Sequence, residues 1–223
     1  MPILTRVVAG LLLVYAAAAA GAEPKTEEQK TLYAIGLAIS QSLGSFSLSP
    51  EELEMVQAGM RDGVLNREPK VELETYGPKI QELQRTRLAV AAEREKKAGK
   101  TYLDKAAAQK GATRTASGAV YVPLKAGRGP APKATDTVKV HYEGTLTSGK
   151  VFDSSIKRGE PVSFGLDQVI PCWTEGLQLM KVGGKGRLVC PSDLAYGDRG
   201  RPPQIPPGAT LVFEVELLEI VKQ

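Results

Sequence analysis

The spacing of apolar residues changes abruptly near Gly111, and this change constrains the fold of the 223-residue chain more than any other feature. Before Gly111, apolar residues recur every three or four positions, which is typical of amphipathic helices. After it, they alternate with polar residues, which is typical of half-buried strands. The alternating positions are Val120, Val122 and Leu124, then Val138, Val140 and Tyr142, then Leu211, Phe213, Val215 and Leu217. The pattern predicts an α+β protein with a helical front half.

Turn signals divide the second half into strands. Glycine and proline cluster at residues 127–130, 148–149, 183–184 and 206–208, between the alternating runs. Alternation of this kind predicts an antiparallel sheet with one buried face and one wet face. We expect a short helix at residues 171–179 that covers the apolar face, and a strand that ends at Cys190 after starting at Arg187. Residues 112–223 are assigned to this second domain.

Two short helices are predicted in the front half. Thr26 and Gln29 match a capping box, and Ser49, Pro50 and Glu52 mark a second helix start after a break at residues 44–49. The apolar stripes are Leu32, Ile35, Ile39 and Leu43 in the first helix, and Leu53, Val56, Met60 and Val64 in the second. Helices this small cannot bury both stripes alone, which predicts a homodimer through residues 26–65. The alternative is a hairpin that folds back on the third helix.

A third, long helix is predicted from about Lys79 to Lys110. Its middle, Glu93 to Lys100, is dominated by charged residues. This composition is typical of a solvated helix supported by charge pairs between successive turns. We interpret it as a spacer arm, and residues 23–111 as a helical dimerisation region with a long linker.

The first 22 residues have the features of a signal peptide. Arg6 precedes an unbroken run of small and apolar residues, and Ala20-Gly21-Ala22 gives a small-residue cleavage pattern. The run is shorter than the roughly 20 residues of a membrane span, so an uncleaved anchor is the less favoured alternative. Cleavage before Glu23 removes one Arg and no acid, which changes the formal charge from +4 to +3.

Residue scarcity excludes many functions. The chain has one histidine, His141, and two cysteines, Cys172 and Cys190. This leaves no ligand set for most metal sites and no histidine-dependent triad with a ready partner, so we expect no metal and no cofactor. The mild positive charge is spread along the chain, so nucleic acid is not expected as a partner.

Several segments of the second half together resemble the FKBP family of peptidyl-prolyl isomerases, in order and spacing, over roughly Ala119 to Val221. They are VHYEGTL from Val140, GKVFDSS from Gly149, Val169-Ile170-Pro171 with Trp173, LAYG from Leu194, and IPPGATLVFEVELL from Ile205. The helical front half and the signal peptide resemble the secreted, dimeric macrophage-infectivity-potentiator type. The resemblance implies an FKBP-like antiparallel sheet wrapped on a short helix. It also implies a periplasmic protein of a Gram-negative bacterium, with association at the outer membrane as a further option.

Catalysis of prolyl isomerisation requires an apolar site. Rotation about an X-Pro amide faces a barrier of roughly 18–20 kcal/mol because resonance ties the nitrogen to the carbonyl. No bond breaks, so the enzyme must bind the twisted amide better than either planar form. The planar amide is the more dipolar state, and a dry aromatic pocket disfavours it.

By resemblance, six residues form the catalytic surface: Tyr142, Phe152, Asp153, Trp173, Tyr196 and Phe213. Four more are expected to bind substrate: Phe164, Val169, Ile170 and Ile205. The resemblance places Trp173 under the proline ring, and the Ile170 N–H and the Tyr196 hydroxyl on peptide carbonyls. It also implies binding of macrolides that mimic the twisted unit. The alternative for each aromatic residue is core packing, and for Asp153 a turn or cap.

His141 alternates with inward residues, so we expect it on the solvent face without a catalytic role. Cys172 and Cys190 lie on the short helix and on the strand that it would cover. In a secreted protein two cysteines more often pair than stay free. A disulfide between them is therefore our hypothesis, and two buried thiols are the alternative.

The loop after Tyr196 departs from the family pattern. Family members often carry a histidine where this chain has Arg201, and a branched apolar residue where it has Gln204. Peptide preference and macrolide affinity depend on this rim. The sequence favours a prolyl isomerase that acts on unfolded, proline-containing exported proteins. The alternatives are a holdase-type chaperone with little turnover and a host-binding factor.

Overall fold

The computed structural model describes residues 23–221, and the chain divides into two units, with the boundary in the sequence between Ile39 and Ser40. Three helices come first: α1 (Glu27–Leu43), α2 (Pro50–Val64) and α3 (Leu73–Ala107), with a 3₁₀ turn at Gly44–Phe46. None of the helices within this described range is long and apolar enough to cross a membrane. The predicted signal peptide lies outside the described residues.

Both predicted helix starts are confirmed. At α1, the backbone N–H of Gln29 donates to Thr26 Oγ1 at 3.1 Å, and the Thr26 N–H donates to Gln29 Oε1 at 3.2 Å. At α2, Glu52 and Ser49 make the same reciprocal pair at 3.3 and 2.9 Å. These contacts satisfy N–H groups that the first helical turn leaves without partners.

Helix α3 differs from its predicted bounds. It begins at Leu73 rather than Lys79, and it ends at Ala107 rather than Lys110. Pro78 lies inside it, in the second turn, where a proline removes the hydrogen bond to the carbonyl four residues earlier and crowds that carbonyl. The sequence pattern placed the start after this proline because proline usually interrupts a helix.

The expectation of a fully solvated arm is wrong for the second half of α3. Ala92, Gly99, Leu103 and Ala106 are buried. A Cβ on Gly99 would lie 2.8 Å from Thr210 Cβ, and one on Gly208 would lie 2.6 Å from Ala92 Cα. The helix backbone therefore rests directly on the loop before the last strand. Small residues make this contact, so the sequence has no stripe of large apolar side chains that would predict it.

The second half is an antiparallel sheet, as predicted. Its strands are β1 (Thr113–Arg114), β2 (Val120–Lys125), β3 (Thr137–Leu146), β4 (Val151–Ser154), β5 (Val162–Gly165), β6 (Lys185–Cys190) and β7 (Leu211–Val221). The order across the sheet is β1-β2-β6-β7-β3-β4, and β5 pairs with β3. Strand β7, the last in the chain, therefore lies between β6 and β3. The predicted strand from Arg187 begins two residues earlier, at Lys185.

One face of the sheet is buried and the other is covered only in part, so the expectation of one wet face holds only in part: Lys139, Glu143 and Glu214 on the second face stay partly exposed. One face carries the main core with α5 (Pro171–Leu177), which ends before the predicted Leu179. On the other, Val120, Val122, Val189 and Val212 pack against Leu103 and Ala106 of α3. Leu124, the third member of the first alternating run, is 43% exposed. The buried end of α3 is the reason that Val120 and Val122 face away from the main core.

Candidate active site

A cavity of about 460 Å³ opens on the sheet face that α5 covers. Nine of the ten residues predicted for the site line it: Tyr142, Phe152, Asp153, Phe164, Val169, Ile170, Trp173, Tyr196 and Phe213. Two further lining residues are Gln168 and Arg201. The structure thus brings together residues from four strands, α5 and two loops.

Trp173 forms the floor of this cavity. It lies in α5, which begins at Pro171 in the first helical position after Ile170, where proline is well tolerated. Its ring is 4% exposed and meets three other rings nearly edge-on. The centroids of Tyr142 and Phe213 are both 5.3 Å away, and that of Phe164 is 5.5 Å away. Edge-to-face packing of this kind fixes ring orientation.

One carboxylate enters the cavity, and both its oxygens are occupied. The Tyr142 hydroxyl donates to Asp153 Oδ2 at 2.5 Å, and Arg158 Nη1 donates to Oδ1 at 2.5 Å. Arg158 also donates to the Tyr142 hydroxyl at 3.0 Å. The short helix α4 (Ser155–Arg158), capped by the Ser154 side chain, brings Arg158 back to Asp153. Sequence reasoning missed Arg158, and the capping serine before a one-turn helix was the available signal.

These contacts fix the protonation of the site. Burial raises the pKa of Asp153, but the hydrogen bonds from Tyr142 and Arg158 and the charge of Arg158 lower it further, so the net pKa lies below its usual value. Burial, and then the hydrogen bond to Asp153, raise the pKa of Tyr142. At neutral pH the carboxyl is ionised and the phenol is neutral, so neither is poised as a general base.

Two unused donors point to peptide recognition. Among residues 23–221, the Tyr196 hydroxyl and the Ile170 N–H have no hydrogen-bond partner, although the Ile170 carbonyl accepts from the Trp173 N–H at 2.9 Å. Both residues line the cavity. The arrangement offers two donors above an aromatic floor, which suits the carbonyls of an extended peptide.

Ile205 departs from the predicted arrangement. It is 3% exposed and lies in an adjoining cavity of about 330 Å³ rather than in the main one. The residues that it shares this cavity with are Phe152, Asp153, Tyr196, Arg201 and Gln204. The antiparallel bridge between Arg201 and Ile205 folds the loop over, so the isoleucine supports the rim from behind.

Cys172 and Cys190 are joined in a disulfide, with 5.6 Å between their Cα atoms. The bond ties the residue next to Trp173 in α5 to the end of β6. His141 is half-buried, and its Nδ1 lies 3.2 Å from Ser155 Oγ on the back of the site. In the described part of the chain, no cluster of His, Cys, Asp and Glu has the geometry of a metal site.

Comparison with known proteins shows the family of the chain. The family model for the FKBP-type peptidyl-prolyl cis-trans isomerase matches residues 129–218, and the model for the domain amino-terminal to it matches residues 28–122. The FKBP-type peptidyl-prolyl cis-trans isomerase FkpA of Aeromonas hydrophila is 44% identical over 214 residues, which are 90% of this chain and 79% of that protein. The chain belongs to the FKBP-type peptidyl-prolyl isomerases.

Two Escherichia coli proteins extend this family assignment. The FKBP-type 22 kDa isomerase of strain K12 is 41% identical over 199 residues, 88% of this chain and 97% of that one. The crystal structure of FkpA from Escherichia coli matches with a TM-score of 0.67 and 39% identity, covering 88% of this chain and 97% of that one. The α+β fold and the isomerase class predicted from sequence are thereby confirmed.

Proposed function

We propose that this FKBP-type isomerase accelerates X-Pro isomerisation in exported proteins by holding the twisted amide in the cavity above Trp173. The observation that carries the proposal is the aromatic floor and walls, together with a carboxylate that is already fully hydrogen-bonded. The proline ring lies on Trp173, and the ring edges of Phe164 and Phe213 confine it. Carbonyls on either side of the proline accept from the Tyr196 hydroxyl and the Ile170 N–H.

Catalysis follows because the pocket stabilises the planar amide less than the twisted amide. A planar amide carries charge separation that water solvates well, whereas a twisted amide is less dipolar. Transfer into an apolar cavity therefore costs the planar form more than the twisted form. The two donors hold flanking carbonyls without solvating the bond that rotates. Asp153 keeps Tyr142 oriented and takes no proton during the reaction.

The test is the cis–trans rate of a proline peptide with the mature protein and with a Trp173→Ala, Tyr196→Phe double variant. We expect rapid isomerisation by the mature protein and a loss of at least tenfold in the variant, which corresponds to about 1.4 kcal/mol. Tyr196→Phe removes a hydrogen bond of about 1 kcal/mol, and Trp173→Ala removes the apolar floor of the cavity as well. A matched control is Tyr33→Phe, an exposed tyrosine in α1. Equal activity of the double variant and the control would contradict the proposed site.

A periplasmic location is part of the proposal. The predicted signal peptide and the Cys172–Cys190 disulfide both suit an oxidising compartment. Fractionation of a Gram-negative host that expresses the full chain tests it. We expect the protein in the periplasmic fraction with its amino terminus at Glu23, and a purely cytoplasmic protein that begins at Met1 would contradict the location.

The helical region is proposed to form a homodimer through residues 26–65. Within α1, Leu32 and Ile35 are 60% and 53% exposed, and within α2, Met55 and Val64 are 75% and 77% exposed. Apolar side chains so exposed on successive helices favour burial against another surface. Two chains joined there would present two active sites to one unfolded client, and the second contact gains effective concentration.

Holdase activity is a second candidate function, and one cavity favours it. A groove of about 700 Å³ lies between α3 and the proline-rich loop, with Val90, Ala91, Pro203 and Pro207 among its walls. Its predominantly apolar surface suits an unfolded segment near the proline being isomerised. Suppression of client aggregation by the double variant that lacks isomerase activity would support this function, and its absence would contradict it.

A further inference from the structure

The rim of the proline pocket carries an unpaired cation. Arg201 lines both the main cavity and the adjoining one. Its backbone is fixed by two hydrogen bonds with Ile205, at 2.8 and 3.0 Å. In the part of the chain that the structure describes, its guanidinium forms no ion pair. The two backbone hydrogen bonds thus fix the position of Arg201, and with it a positive charge, at the mouth of the site.

The acidic residue that lines the same cavities and the two aspartates earlier in the same loop already have partners. Both oxygens of Asp153 accept hydrogen bonds, from Tyr142 and from Arg158. Lys96 of α3 holds the two aspartates of the same loop, Asp198 at 2.6 Å and Asp193 at 3.6 Å. In the described residues, none of these carboxylates forms an ion pair with Arg201.

The remaining wall of the two cavities is neutral. Apart from Asp153 and Arg201, the lining residues are aromatic or aliphatic, with Gln168 and Gln204 as the two amides. Since Arg158 offsets the charge of Asp153, the mouth of the site carries an excess of one positive charge. A carboxylate on the substrate would meet an attractive field there.

We infer that Arg201 is a specificity-determining residue that favours substrates with an acidic side chain directly beside the proline. The inference rests on the proposed function, because it assumes that the peptide lies in the Trp173 cavity. A glutamate or aspartate before or after the proline would pair with the guanidinium, whereas a lysine would be repelled. The preference acts on binding and falls with salt, because the guanidinium is exposed.

The experiment compares kcat/KM for peptides that differ in one side chain beside proline. Ala-Glu-Pro-Phe, Ala-Gln-Pro-Phe and Ala-Lys-Pro-Phe vary the position before proline, and a second series varies the position after it. Cis–trans exchange is followed by NMR, so no coupling protease imposes its own preference. The readout is the glutamate-to-glutamine ratio within one protein, which cancels any general change in activity between variants.

We expect the wild-type ratio to be about threefold in at least one series at low salt, and to approach one at about 0.5 M salt. Arg201→Gln should abolish the ratio, and Arg201→Glu should transfer the preference to the lysine peptide. Arg199→Gln is the matched control, because Arg199 is exposed on the same loop but lines neither cavity. It should keep the wild-type ratio.

Two results would overturn the inference while leaving the proposed function intact. One is rapid turnover of the glutamine peptides with a ratio near one in both series. The other is a preference that survives in Arg201→Gln. Absence of catalysis on every peptide would instead overturn the proposed function, and the inference with it.

Discussion

At the scale of single residues, the site is organised around one carboxylate that does no proton transfer. Asp153 accepts from Tyr142 and Arg158, and this triad holds one wall of the pocket in place. Trp173, Phe164 and Phe213 supply the apolar surface. The hydrogen-bonded residues orient the wall of the pocket. The apolar rings favour the twisted amide because they offer no hydrogen bond to the amide that rotates.

The lowered pKa of Asp153 predicts the pH dependence of the isomerase. A carboxyl whose folded pKa is lowered contributes stability above its unfolded pKa, about 3.9, and loses it as the pH falls through the folded value. We expect kcat/KM to stay level from about pH 5 to pH 8 and to fall only in stronger acid. A midpoint between about pH 6 and pH 7 would show a titrating catalytic group and contradict this view.

Arg158→Met should shift the fall of kcat/KM in acid to higher pH. The change removes a hydrogen bond and a positive charge from Asp153, so the pKa of the carboxyl rises and the loss of activity begins at higher pH. The measurement is the same pH profile of kcat/KM. Lys157→Met, which alters the neighbouring exposed cation, should leave the profile where it is.

At the scale of elements, the disulfide fixes α5 on the sheet. It spans 18 residues, and closure of a loop of that length contributes roughly 3 kcal/mol to stability. A Cys172→Ser, Cys190→Ser variant should have a free energy of unfolding in urea lower by about 3 kcal/mol. Reductant should destabilise the wild type and leave the variant unchanged. Equal midpoints for oxidised and reduced wild type would contradict the prediction.

Helix α3 should tolerate no side chain at Gly99. A Cβ there would overlap Thr210, which is 4% exposed, so Gly99→Ala should cost about 1–3 kcal/mol although alanine favours helix. The matched control is Gly59→Ala in α2, where nothing lies within 4 Å of the new Cβ. That variant should gain up to about 1 kcal/mol. Urea unfolding measures both, and a stabilising Gly99→Ala would refute the contact.

At the scale of the whole molecule, the proposed dimer has a direct test. Val64→Lys places a charge in the stripe of α2 and should convert a two-chain mass to a one-chain mass in light scattering. Val71→Lys, an equally non-conservative change at an exposed valine outside residues 26–65, is the control. A wild-type mass of one chain at micromolar concentration would contradict the dimer.

The sequence predicted which residues would line one cavity better than it predicted the packing between elements. The aromatic residues were found because their motifs keep fixed order and spacing. Arg158 depends on a one-turn helix that only the capping Ser154 signals, and Gln168 on a local turn that no motif marks. The docking of α3 was missed because Ala92, Gly99 and Ala106 are small. Such residues allow close approach without leaving a hydrophobic period in the sequence. Complementary shape, unlike periodicity, is visible only in three dimensions.

The position of β7 has a consequence for how the protein is made. The seventh strand in chain order pairs with both β6 and β3 and fills the middle of the sheet. Until Leu211–Val221 has emerged, β3 and β6 have no common partner, and the pairing joins residues far apart in sequence, which is intrinsically slow. The isomerase domain therefore cannot close until the last strand of the chain is available.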